Sequence, residues 1–352
     1  HLQKESRSFF IAILYQLEGS QEMSKVNWGI LSTANIGQTQ VIPAINRSTL
    51  GEALAISSLS GRAKEAAEKL GIPKVYDSYE DLLGDEEIDA VYIPLPNHLH
   101  AKWVMEAAKA GKHVLVEKPA SLTAHEMKEM QEVCSRHEVL FMEAFMYQFH
   151  AQHKRVKDII KTGEIGEVNY MYASHSFFLD DDGDNIRLSA EKGGGALYDV
   201  GCYNIHAIRH ILQAEPAEVK AFSKLDPKFK VDMTTTGHLW MDNGIQAMFD
   251  CSFQMKSRDE YRVSGSKGEI ICQHAYRPDR KGHKGTLIIR TEGETRKEII
   301  TCDQYLMQVE HFAECILEGK QPLYTGDDTL QNMRVIDACY ESIQSDKTVK
   351  LP

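Results

Sequence analysis

Three features of this sequence predict an α/β protein with a doubly wound parallel (Rossmann) sheet, followed by an α+β half on a large open, mainly antiparallel sheet. Short apolar runs alternate with amphipathic stretches from Val26 onward. That alternation stops after about Phe149. Segments of β character then dominate, with a hairpin signal between two of them.

In the first half the apolar runs are Val26–Leu31, Ala53–Ser57, Ala90–Ile93, Val114–Val116 and Val139–Met142. Between them Arg62–Leu70, Lys102–Lys109 and Ala124–His137 carry apolar residues at helical spacing, and Gly71 and Gly111 supply stop signals. Strands joined through helices must run parallel, so residues 25–145 are expected to form a dinucleotide-binding unit. In the second half, residues 146–352, strands are predicted over Val168–Phe178, Val219–Ser223, Thr234–Trp240, Ile245–Phe253, Tyr261–Gly265, Leu287–Arg290 and Lys297–Thr301. Asn243-Gly244 between two of them marks a hairpin. Helices over Asn204–Leu212, Gln304–Leu317 and Asp327–Ser345 are expected to cover one face of this sheet. Its other face then needs a partner, and Trp240, Met248, Phe249 and Phe253 lie on strands able to supply it. A homodimer, or a dimer of dimers, is the expectation.

Composition narrows the function. With 352 residues the chain can bury a large core without disulfides or a metal. Forty Lys and Arg against 51 Asp and Glu give a net charge of −11, which argues against nucleic acid and anionic membranes as partners and leaves a small-molecule ligand. Seven cysteines (Cys134, Cys202, Cys251, Cys272, Cys302, Cys315 and Cys339) are scattered and odd in number, which fits reduced thiols in a cytoplasmic protein. Met23-Ser24-Lys25 resembles a natural start, so residues 1–22 are expected to be a non-native or upstream extension.

The first strand runs into Ser32-Thr33-Ala34-Asn35-Ile36-Gly37, a degenerate G-x-G-x-x-G in which small residues let a pyrophosphate approach the next helix. After the second strand comes Ser57-Ser58-Leu59-Ser60-Gly61-Arg62. An acidic residue there would hold the ribose of NAD; none is present, while Ser58 and Arg62 suit a 2′-phosphate. NADP(H) is therefore slightly favoured over NAD(H). Pro94, Leu95, Asn97 and His100 follow the strand that ends at Ile93, at the edge where cofactors gather; Asn97 also reads as a helix N-cap. His98 and His100 lack further ligands, so no metal is expected. Glu117-Lys118-Pro119 places charge where the next strand ends.

Ala110-Gly-Lys-His-Val-Leu-Val-Glu-Lys-Pro119, Met142-Glu-Ala-Phe-Met-Tyr147 and Gly193-Gly-Gly-Ala-Leu-Tyr-Asp-Val-Gly-Cys-Tyr203 occur in that order. Together they make the chain resemble the Gfo/Idh/MocA family (glucose–fructose oxidoreductase, inositol dehydrogenase, rhizopine catabolism) from about Val26 to Pro352. The wording is nearest the branch of D-xylose dehydrogenases and dimeric dihydrodiol dehydrogenases. The resemblance implies hydride transfer between NAD(P) and a CH–OH or C=O carbon of a sugar, polyol or cyclic diol. An NAD(P)-binding sugar sensor without turnover is the alternative. It implies that Lys118, Asp199 and Tyr203 meet around the nicotinamide, with Glu117 and Lys118 also touching the cofactor. Tyr203 would then move the proton, its phenol drawn toward neutral pH by the Lys118 ammonium. Phe149, Asn185 and Arg187 are further substrate candidates beside Asp199 and Tyr203. The chain departs from the branch at Ser58-Leu59, where Ser-Arg is common, and at Gln148-Phe149-His150-Ala151, where Arg-Phe-His-Pro is common.

Overall fold

A computed structural model describes residues 24–180 and 185–352; residues 1–23, with the expected 1–22 extension, and residues 181–184 lie outside them. The first sheet has six parallel strands: β1 (Val26–Leu31), β2 (Gly51–Ser57), β3 (Lys74–Tyr76), β4 (Ala90–Ile93), β5 (His113–Val116) and β6 (Phe141–Glu143). Their order, β3-β2-β1-β4-β5-β6, reverses direction between β1 and β4. That reversal opens a crevice beyond the strands' carboxyl ends, where doubly wound sheets bind ligands. The helices between them are α1 (Ile42–Arg47, entered through a π-helical turn at Gly37–Val41), α2 (Ala63–Leu70), α3 (Tyr79–Leu83), α4 (His100–Lys109) and α5 (Ala124–Arg136). Gly71 ends α2 at φ 72°, a left-handed position that glycine takes without a Cβ penalty. The three-residue β3 and the five-residue α3 are too short to show a period and escaped the sequence reading.

The second sheet has nine strands in the order β14-β13-β12-β11-β7-β10-β9-β8-β15. They are β7 (Val168–Phe178), β8 (Pro216–Leu225), β9 (Asp232–Met241), β10 (Gln246–Ser252), β11 (Gln254–Gly265), β12 (Gly268–Gln273), β13 (Lys284–Thr291), β14 (Glu294–Thr301) and β15 (Val349–Lys350). All pairs are antiparallel except the central β7–β10 pair. The Asn243-Gly244 turn joins antiparallel β9 and β10, with Gly244 at φ 86°. Four more helices complete the chain: α6 (Ala151–Lys161), α7 (Cys202–Leu212), α8 (Gln304–Glu318) and α9 (Gly326–Ser345), the last opened by a Thr325–Asp328 capping box.

Two expectations are corrected here. α8 packs against α1, β1 and β2 of the first sheet rather than covering the second. Trp28 meets Phe312 at 5.9 Å and Arg47 pairs with Asp303 at 2.6 Å, so the helix is fastened by both apolar and charged contacts. Phe249 and Phe253 turn into the core, at 1% and 0% exposure, while Met248 stays 40% exposed. Alternation along β10 forces opposite sides on neighbouring residues, so Met248 and Phe249 cannot share a face. The open face instead carries Met248, His238, Trp240 and Phe222, with His238 and Trp240 4.1 Å apart between ring centroids.

Burial also sets a pH dependence. It lowers His100 to about 4 and His175 and His210 to about 3, and drives His153 and His206 down as well. Below pH ~6.5 these rings take up protons in the unfolded chain before the folded one, so each costs about 1.4 kcal/mol per pH unit as pH falls toward its folded value. Glu143, raised by burial to about 8, Asp259, raised to about 6, and Glu117, Asp232 and Asp337, raised as well, work the other way because they bind protons sooner when folded. Burial lowers His113, His150, His274 and His311 too, so among the described residues nine lowered histidines outnumber these five carboxylates. We expect Tm to fall by on the order of 5 °C between pH 7 and pH 5, read by differential scanning calorimetry; a flat or rising Tm contradicts this.

Candidate active site

The carboxyl ends of β1, β2, β4 and β5 face the second sheet across a cleft of about 1410 Å³, roomy enough for a dinucleotide and a small substrate together. Ser32, Thr33, Ala34, Asn35 and Ile36 form its first wall. Ser32 stands at φ 116°, where the first fingerprint glycine would be. Its hydroxyl donates to the Pro94 carbonyl (3.0 Å) and accepts from the Ala34 amide (3.2 Å), which holds the turn open without a glycine. The helix starts beyond it, and its first amides have no acceptors within the helix. Gly37 lies behind the wall, packed toward Tyr92 and Pro94, so it serves helix–strand packing rather than contact. At the end of β2 Ser58 and Ser60 share a hydrogen bond (2.8 Å), and the Arg62 Nε donates to Ser60 (3.0 Å). No carboxylate lines this corner. Small residues, unpaired amides and this hydroxyl–guanidinium patch fit a dinucleotide.

Pro94, Leu95 and Asn97 line the cleft. Asn97 is not the helix cap expected of it. Pro96 and Leu99 occupy the cap positions without side-chain bonds, and the Asn97 amide crosses to the Gly193 carbonyl (2.8 Å). His100 is fully buried behind the wall, its two nitrogens 2.8 Å from the Pro119 and Leu95 carbonyls. It pins two cleft loops together and is not among the residues that line the cleft.

At the cleft floor the distant motifs converge. The Lys118 ammonium donates to the Asp199 carbonyl (2.7 Å) and carboxylate (3.2 Å) and sits 4.9 Å from the centre of the Tyr203 ring. Arg187 holds the other Asp199 oxygen (2.7 Å). Gly194 and Gly195 make this possible: a Cβ on Gly194 would lie 2.4 Å from the Arg187 carbonyl, and Gly195 stands at φ 123°. Asp199 lies in a π-helical turn, Leu197–Gly201, that runs directly into α7 with Tyr203. Asn185 caps the turn that carries Arg187 by accepting from the Arg187 amide (3.1 Å) and is not among the residues that line the cleft. Phe149 does not line the cleft; its ring lies 5.2 Å from that of His311.

The electrostatics differ from expectation at one point. Burial alone would raise Asp199, yet Arg187 and Lys118 outweigh it and hold the carboxyl well below the usual range. Burial opposes the charge on Lys118 too, but Asp199 more than compensates, so the amine stays protonated. Tyr203 goes the other way from the sequence expectation. Burial pushes its phenol well above the usual tyrosine value and the Glu117 carboxylate adds to the shift. The ammonium faces the ring and Asp199, not the phenolic oxygen, which meets only Met146 Sδ at 3.5 Å.

Sequence reasoning missed several neighbours. His175 on β7 stacks on Tyr276 (4.8 Å) and abuts Tyr203 (5.3 Å), with Nδ1 buried and without a partner. Tyr305 on α8 lines the cleft with its buried hydroxyl also unpartnered. The alternation of β7 could have drawn notice to His175; no local signal marks Tyr305. Among the described residues no group of three His, Cys, Asp or Glu side chains is placed to hold a metal, and no helix is long and apolar enough to cross a membrane.

A Rossmann sheet whose ligand edge closes over a Lys–Asp–Tyr cluster defines a dinucleotide-dependent oxidoreductase. Residues 26–145 match the oxidoreductase family with an NAD-binding Rossmann fold, and residues 153–271 match the GFO/IDH/MocA C-terminal domain. The chain belongs to the Gfo/Idh/MocA family. It is 38% identical to a D-xylose 1-dehydrogenase (NADP(+)) of Haloferax volcanii, covering 92% of this chain and 99% of that one. It is 31% identical to dTDP-3,4-didehydro-2,6-dideoxy-alpha-D-glucose 3-reductase of Actinomadura kijaniata, over 92% and 97% of the two chains. Among solved structures, a 3-ketoreductase from Actinomadura kijaniata in complex with NADP and TDP-benzene superposes with a TM-score of 0.85 at 29% identity, covering 92% of this chain and 98% of that one. The aldose–aldose oxidoreductase of Caulobacter crescentus, complexed with glycerol, gives 0.87 at 27% identity over 93% and 100%.

Proposed function

We propose that the cleft transfers a hydride between NADP(H) and a CH–OH or C=O carbon of a sugar, polyol or cyclic diol, with Tyr203 exchanging the proton on oxygen. The observation that carries this reading is the meeting of Lys118, Asp199 and Tyr203 at one floor, 81 residues of chain separating the first two. The nicotinamide, when bound, takes or gives the hydride. In reduction Tyr203 gives its proton to the new alkoxide while Lys118, with two N–H groups on Asp199, has a third to offer the substrate oxygen. In oxidation the O–H proton returns to Tyr203. Arg187 and Asp199 keep the ammonium in place. The test is a screen of pentoses, hexoses, inositols, anhydro-ketosugars and dihydrodiols, followed by absorbance of the reduced nicotinamide with both cofactors. Cofactor binding without turnover of any of them would replace this reading with that of a sensor.

NADP(H) is supported by the Ser58–Ser60–Arg62 patch and by the NADP-dependent relative. Arg62→Ala should weaken NADPH at least about tenfold and NADH less than about twofold, since only the former offers a phosphate to the guanidinium. Equal losses in fluorescence titrations would place Arg62 elsewhere in the binding.

A homodimer, or a dimer of dimers, is supported by the open face of the second sheet, where Phe222 is 56% and Met248 40% exposed beside Trp240. Light scattering at micromolar concentration should give at least twice the chain mass. Met248→Lys should shift it toward the monomer; a monomeric parent would refute the assembly.

A further inference from the structure

The whole chain is acidic, yet its cleft is not. Eight Lys and Arg side chains line it against four Asp and Glu. Arg62 lies at the β2 end. Lys118 and Arg187 are tied to Asp199, and Arg258 is paired with Asp250. Lys192 lies on the turn before Gly193, and the remaining three cluster where the second sheet closes the cleft. Tyr276, whose ring lies 5.4 Å from that of Tyr203, is followed by Arg277 and the short turn Pro278–Lys281.

Arg277 is braced by a bidentate hydrogen bond to Asp279, Nε to Oδ1 at 3.0 Å and Nη2 to Oδ2 at 2.8 Å, which leaves Nη1 without a hydrogen bond among the described residues. Arg280 and Lys281 form no ion pair among the described residues, and both line the cleft. Asp259 and Glu260 line the same wall, but neither forms an ion pair with Arg280 or Lys281 among the described residues: the two Asp259 oxygens accept the Tyr276 and Arg277 amides at 2.6 and 3.0 Å. Beside this cationic turn lie two buried polar atoms without partners, His175 Nδ1 and Tyr305 Oη. Such groups cost free energy unless water or a ligand satisfies them, and these two face a cleft that a ligand can enter.

From this arrangement we propose that the substrate end of the cleft takes an anionic sugar, one bearing a carboxylate or a phosphate ester, with its charge on Arg277, Arg280 and Lys281. His175 and Tyr305 then bond its hydroxyls. The inference rests on the oxidoreductase reading and names the substrate class for the same site.

The probes are D-glucose, D-glucuronate and D-glucose 6-phosphate, with the parent and the Arg280→Ala/Lys281→Ala double variant. In the parent, kcat/KM for at least one anionic sugar should exceed that for glucose by at least about tenfold at low salt. That ratio should collapse at least tenfold in the double variant or in 0.5 M NaCl, while NADPH affinity stays within twofold. A parent that prefers glucose, or a ratio unmoved in the variant, overturns the proposal. A fall in NADPH affinity of tenfold or more assigns these cations to the cofactor's phosphates and overturns it too. Calorimetric titration of glucose 6-phosphate and glucuronate into the NADP-loaded protein separates the two readings. Charge-dependent binding lost in the double variant, without turnover, upholds the anion site and sinks the oxidoreductase reading; turnover of neutral sugars with no anion binding does the reverse.

Discussion

Tyr203→Phe lowers kcat by about 10²–10⁴ in both directions and leaves NADPH affinity within twofold. The ring keeps its packing, edge-on to Phe145 at 5.3 Å and tilted against Tyr276 and Tyr147 at 5.4 and 5.7 Å. The lost hydroxyl bonded only a thioether, so Tm should change little. Because burial keeps the phenol protonated well above the usual tyrosine range, the parent holds the proton that reduction consumes. Its reductive rate should be flat between pH 6 and pH 9. Oxidation needs the phenolate and should climb with pH through the same range. Steady-state assays in both directions check this. Near-parental kcat in the variant would transfer the proton to Lys118, and an oxidative rate indifferent to pH would remove Tyr203 from the step.

Lys118→Met should lower kcat on the order of 10²–10³, through loss of an ammonium at the cleft floor with an N–H to offer the substrate oxygen. A second effect identifies the mechanism. Lys118 outranks other groups in favouring ionised Asp199 after Arg187, so its removal weakens the hold on that carboxylate and takes a positive charge from beside Tyr203. The oxidative limb should therefore move to higher pH while the reductive plateau stays in place. A change confined to KM would make Lys118 a binding residue only. Asp199→Asn should cost less than either change if the carboxylate only orients Lys118 and Arg187. Full activity in all three variants would put the reaction elsewhere.

Periodicity and short motifs are local properties, and what depends on them was legible in the sequence. The apolar runs placed β1 and β4 at their observed bounds, and Asn243-Gly244 announced the β9–β10 hairpin. The family resemblance carried by the Glu-Lys-Pro and Gly-Gly-Gly motifs pointed to Lys118, Asp199 and Tyr203, which the fold brings to one cleft. Asn97 shows where local reasoning stops: a good N-cap residue instead bonds a carbonyl 96 residues away, because two prolines fix the chain around it and the glycine turn lies within reach.

Other properties belong to the tertiary structure alone. A residue type says nothing of how deeply water is excluded around it, so only the packed cleft decides that Tyr203 is held protonated rather than eased toward ionisation. An amphipathic helix advertises an apolar face but not its destination, and α8 went to the first sheet, bringing Tyr305 over the ligand edge. Met248 and Phe249, adjacent and both apolar, were separated by strand register into an open face and a core. Composition set the charge of the whole chain, whereas the sign of the field inside the cleft follows from which side chains folding gathered there, and that is a matter of distance in space.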